Sequence, residues 1–160
     1  MRQRDIVDEL IEMGWGVEDF SELLTALKKR VEEENRFRQQ ERREKIEFYT
    51  RRALEDVGIP FNLIGRRYLL TAIIFCVDRE EEIIPLSLVY YHVASKYCVN
   101  KKNVERAMKY AIERAFDNYN SNLEKIFGYT VHKSRGVTKN GEFIYGLAAY
   151  VRTLVDKNNF

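Results

Sequence analysis

The sequence predicts an all-α fold, and three observations carry that prediction. Apolar residues recur at three- and four-residue steps in several windows, the period of a helix with one buried face. Helix punctuation separates those windows, with Asn100 and Ser121 placed as caps and Gly14, Gly16, Gly58, Pro60 and Gly128 as breaks. No segment alternates apolar and polar residues convincingly at the two-residue period of a strand, and there is no internal repeat.

The elements follow in order. Residues 3–13 form a short amphipathic helix with Ile6, Val7, Leu10 and Ile11 on one face, broken by Gly14 and Gly16 around Trp15. Trp15 reads as a packing anchor. A second helix starts after Val17, with Asp19 or Ser21 offering capping chemistry and Leu23, Leu24, Leu27 and Val31 forming its stripe. Residues 32–45, EEENRFRQQERREK, are almost wholly charged or amide, with opposite charges three or four apart, as in Glu34 with Arg38 and Glu41 with Lys45. A solvated helical connector fits this stretch. A dimerising coiled coil is the sharper alternative, but its apolar repeat fails after Val31.

Residues 46–57 give the next helix, ended by Gly58 and Pro60. A buried helix follows at about 66–78, with Tyr68, Leu69, Ala72, Ile73, Phe75 and Cys76 facing inward. Arg79 to Glu82 reads as a solvated loop, and Pro85 opens another helix. Ser121 with Glu124 gives a capping-box signature for a short helix stopped by Gly128. Residues 129–140 read as a loop bearing Lys133, Arg135 and Lys139. The last helix, about 141–155, packs through Phe143, Ile144, Leu147, Ala148, Val151 and Leu154.

The organising stretch is Val89 to Phe116, which reads as two helices with a tight bend between them. In the second, Val104, Ala107, Met108, Ala111, Ile112 and Ala115 form one stripe, while Lys102, Arg106, Lys109 and Glu113 fall opposite. Asn100 stands at its N-cap. Val93, Ala94 and Tyr97 of the first helix face the same core, and Ala94 is small enough for the helices to cross closely. Cys98 occupies the bend, where a helix-turn-helix usually has glycine. The pattern alone fits either a packed helix pair or a DNA reader. The outward face favours the reader, because its first two turns combine amide, guanidinium and ammonium groups.

Charge agrees in direction. Residues 1–50 hold 10 Lys and Arg against 13 Asp and Glu, whereas residues 51–160 hold 17 against 12. The basic portion is the one that contains the helix pair. Two cysteines and two histidines form no metal spacing, no nucleophile lies beside a base in sequence, and no glycine-rich phosphate loop precedes a helix. Neither catalysis nor a cofactor nor a metal is expected. The longest apolar run, Leu69 to Val77, is far short of the ~20 residues of a membrane span, and no signal peptide opens the chain. The expectation is a soluble, cytoplasmic protein with reduced thiols and no membrane partner.

VERAMKYAIERAF, then LEKIFGYTV and NGEFI, resemble the C-terminal DNA-binding effector domain of the stage zero sporulation protein A family, a response regulator of endospore-forming bacteria. GIPFNLIGRRYLLTAI is similar to the opening of that domain, with Gly58, Ile59, Pro60, Gly65, Tyr68, Leu69, Ala72 and Ile73 in their places. The resemblance covers roughly residues 50 to 155. It implies a helix-turn-helix effector domain of about six helices over residues 46–160, preceded by a helical extension or connector over residues 1–45. That extension is too short for the phosphoacceptor receiver domain usual in the family, so control through the N-terminal helices is expected instead.

The resemblance also implies double-stranded DNA as partner, with tandem or repeated sites, and contact with RNA polymerase sigma subunits. A recognition helix at about 100–117 would lie in the major groove. The family's Glu-Arg pair stands here as Glu105 and Arg106, suited to a cytosine amino group and to guanine O6 and N7. Asn103 stands where the family has arginine, and its amide favours adenine. Tyr110 replaces a family histidine and is suited to a phosphate or a thymine methyl. Lys101, Lys102 and Lys109 suit phosphates, as do Lys133, Arg135 and Lys139 of the loop. A competing function is an adaptor or decoy that binds another protein through residues 1–45, with a homodimer through the same helices a further expectation.

Overall fold

The computed structural model describes residues 5–79, 84–118, 121–128 and 138–158. These form seven α-helices and, among the described residues, no strand. The chain divides into two compact units, Met1–Arg42 and Arg43–Phe160.

The first unit contains α1 (Ile6–Glu12) and the start of α2 (Val17–Asp56). Asp5 caps α1, its carboxylate accepting from the Val7 N–H at 3.4 Å. Gly14 ends the helix in the left-handed region at φ +94°, while the Trp15 N–H donates back to the Leu10 carbonyl at 3.1 Å. This is a Schellman closure, which satisfies carbonyls that the helix end leaves open. Trp15 tilts against Phe20 with ring centroids 5.5 Å apart.

The start of α2 bears out Asp19 as a capping residue and moves the helix start to Val17 itself. The Gly16 N–H donates to Asp19 Oδ2 at 2.7 Å, so Asp19 is a third-position residue reaching back, and Ser21 lies deeper in the helix. The expected separation of connector and domain helix is also absent, since α2 runs unbroken through residues 45 and 46. No Gly or Pro lies between Val17 and Asp56, so nothing in the charged stretch stops helix propagation. Exposed i,i+4 pairs such as Arg30 with Glu34 and Arg51 with Glu47 contribute only about 0.3–0.5 kcal/mol each.

In the second unit α2 buries Ile46, Thr50, Ala53 and Leu54. Gly58 at φ +85° closes it with a second Schellman turn, the Ile59 N–H donating to the Leu54 carbonyl at 3.0 Å. Then come α3 (Ile64–Asp78), α4 (Leu86–Tyr97), α5 (Lys101–Asp117), α6 (Ser121–Phe127) and α7 (Asn140–Lys157). α3 is the central helix, packed by α4, α5 and α7, which is why it is apolar on more than one face. Leu69 and Ile73 of α3, Met108 and Ile112 of α5, and Phe143 and Leu147 of α7 are fully buried in the one core. Arg152 of α7 crosses to α3 and donates from Nη2 to the Cys76 carbonyl at 2.5 Å. Burial pushes the Cys76 thiol up to about 11.

Two boundaries and one core position shift from expectation. Ser121 is the first residue of α6 rather than a cap outside it. α7 begins at Asn140, one residue ahead of the expected start at 141. At its far end Val155 is fully buried and Leu154 only half-buried, because Leu147, Val151 and Val155 continue the four-residue step. Among the described residues, no helix is long and apolar enough to cross a membrane.

Candidate nucleic-acid interface

The bend between α4 and α5 is a third Schellman turn. The Val99 N–H donates to the Ala94 carbonyl at 3.0 Å and the Cys98 N–H to the Ser95 carbonyl at 3.4 Å. The residue between must be left-handed, and Cys98 is, at φ 53°. Cys98 thus adopts the conformation that glycine takes at the equivalent positions after α1 and α2. The chain then turns into α5 at Asn100, whose Oδ1 accepts from the Lys102 N–H at 2.8 Å.

Two further contacts fix the pair. Tyr97 of α4 tilts on Tyr68 at 5.1 Å, and its hydroxyl lies 2.8 Å from that of Thr71, tying α4 to α3. Gly65 of α3 meets the α5 backbone, where a β-carbon would stand 2.1 Å from the Ala107 carbonyl oxygen. The inward stripe of α5, namely Val104, Met108, Ala111, Ile112 and Ala115, is fully buried, and Ala107 is half-buried.

The opposite face is open. Lys101, Lys102, Asn103, Glu105, Arg106, Lys109 and Tyr110 are all exposed. Tyr110 keeps 47% of its surface, with the Arg114 guanidinium 4.9 Å from its ring centroid. Arg114 is also paired with Asp117 at 3.1 Å. Of the expected backbone contacts outside α5, Lys139 stands at the N-cap of α7. Lys133 and Arg135 lie outside the described residues.

The structure adds residues that sequence reasoning passed over. Asn140 donates from Nδ2 both to the Glu105 carbonyl and to the Tyr90 hydroxyl, each at 3.1 Å. It therefore joins α7 to α5 and α4 at the edge of the exposed face. Burial raises the Tyr90 hydroxyl above its usual range, with the Asn140 hydrogen bond acting against the shift and Glu105 adding to it. An asparagine just ahead of a helical stripe was the available signal, but it reads equally well as a cap or a loop residue. Beside Asn140 a cleft of about 450 Å³ opens between α4, α5 and the start of α7. His92 stacks on Phe75 at 4.1 Å, and the Arg79 guanidinium lies 3.9 Å from the centroid of that ring, so the histidine is a packing residue.

A short helix and a capped, basic helix, joined by a tight left-handed turn with the second helix's polar turns uncovered, have the architecture of a helix-turn-helix DNA-binding domain. The family is identified by comparison: residues 50–151 match the model described as Sporulation initiation factor Spo0A C terminal. The chain belongs to that family, whose members are DNA-binding effector domains in sporulation transcription.

Proposed function

We propose that this protein is a sequence-specific transcriptional regulator that lays α5 in the major groove of double-stranded DNA. The supporting observation is the simultaneous exposure of Asn103, Glu105 and Arg106 on a helix whose other face is locked in the core. In this reading Arg106 forks onto guanine, Glu105 accepts from cytosine and Asn103 selects adenine, with Tyr110 at the edge of the site. Lys101, Lys102 and Lys109 meet phosphates, joined by Lys133, Arg135 and Lys139. Residues 46–160 act as the effector domain and residues 1–45 as a helical extension. RNA polymerase sigma subunits are the further partner. Selection of bound sequences from a random duplex pool tests the reading, because a recovered consensus supports it and an unenriched pool refutes it.

A second role rests on the extension. Ile6, Val7 and Ile11 of α1 and Leu24, Leu27 and Val31 of α2 are all exposed, the kind of surface that two helical copies bury on pairing. Light scattering on the full chain distinguishes a homodimer from a monomer. An adaptor acting only through these helices would show little salt-dependent affinity for random duplex DNA.

A further inference from the structure

We propose that the N-terminus of α7 is a seat for a DNA backbone phosphate beside the recognition helix, an inference that rests on the DNA-binding reading above. Lys139 stands at the N-cap with no side-chain cap bond, so among the described residues no N-cap side-chain oxygen satisfies the first-turn amides of this 18-residue helix. These N–H groups and the helix dipole together favour an anion. An independent observation lies at the same place. Thr138, only 9% exposed, lines the adjoining cleft, and its hydroxyl has no hydrogen-bond partner among the described residues. A buried hydroxyl left unpaired is costly, and a phosphate oxygen accepting from it removes that cost.

The charges of the cleft are compatible with one phosphodiester. Lys109 and Lys139 line it together with Glu105 and Glu113. Two ammoniums and two carboxylates cancel, so the sign is set by the uncapped helix end. Gly141 lines the cleft as the second residue of α7 and presents no side chain over the amides. Asn140 keeps this end of α7 within hydrogen-bond reach of Glu105, so a phosphate held here flanks the bases opposite Arg106. Phosphate contacts of this kind fix register and add affinity on any sequence.

The test uses the full chain, random-sequence duplex DNA and two variants, with backbone amide shifts followed by NMR. In the wild type the Gly141 amide should move together with those of α5 as duplex is added. Thr138→Val keeps the shape of the side chain and should weaken duplex binding by about tenfold or more, on the scale of one lost hydrogen bond to a charged group. Lys139→Asp supplies the missing cap and should raise the melting temperature while weakening binding and flattening the salt dependence by about one counterion. Thr138→Val decides the matter, since reversing the charge at 139 weakens binding to any polyanion. If Thr138→Val binds like the wild type, or α5 amides shift while Gly141 stays still, the seat is wrong and the DNA-binding reading stands. If the wild type shows no salt-dependent binding, both fall.

Discussion

Gly65 and Ala107 meet so closely that a β-carbon on the glycine would stand 2.1 Å from the alanine carbonyl oxygen. That oxygen belongs to the backbone of α5 and cannot swing aside, so the helix itself would have to move. Gly65→Ala is expected to destabilise the protein by about 3 kcal/mol or more, the upper range for overpacking. Urea denaturation measures this, and an unchanged midpoint would show that the two helices are not in contact.

Cys98 pays for its left-handed backbone with strain that glycine avoids. Cys98→Gly should gain about 1 kcal/mol, and a β-branched Cys98→Val should lose at least as much. Thermal melts of the two variants decide it. Equal melting temperatures would mean that the bend is not left-handed.

Arg106 and Lys102 share the exposed face of α5 but should fail in different ways. Arg106→Ala is expected to cost about 1–3 kcal/mol of discrimination between a selected site and random duplex, leaving non-specific binding nearly intact. Lys102→Ala should weaken both alike and lower the salt slope by about one. Competition binding across a salt series separates the outcomes, and a sequence-selective loss in the lysine variant would contradict its role.

His92 gives a pH signature. Its folded-state proton affinity is lowered by burial first, then by Arg79 and Lys96. Below the ordinary value of about 6.5 the unfolded chain takes up a proton that the folded chain resists. The stability it contributes is therefore complete above that value and is lost as pH falls through the lower folded-state value. His92→Phe should shrink the drop in melting temperature between neutral and mildly acid pH. A variant with the full wild-type drop would remove His92 as its source.

Much of this fold was legible because the signals were local. The α5 stripe, the Asn100 cap and the Gly58 stop each follow from residues within a few positions of one another, and all three lie where periodicity and capping chemistry put them. The unbroken course of α2 is harder to see in the sequence, since a change from apolar to charged composition suggests a boundary although, with no Gly or Pro in the way, the helix continues. The anchoring role of Asn140 was out of reach for another reason. Its two partners lie 35 and 50 residues away, and no pattern along the chain encodes that meeting. Gly65 was visible only as part of a family resemblance. Its physical reason, a backbone pressed against it by Ala107, 42 residues on, emerges with the coordinates.

The Asn140 amide moors both members of the helix-turn-helix to the last helix of the chain. α5 is thus held at two places, by α3 where Gly65 meets its backbone and by the Asn140 amide at the start of α7. On the proposed reading, a substitution that loosens the start of α7 would therefore be felt at the exposed face of α5, and a ligand held on that face would in turn steady the start of α7.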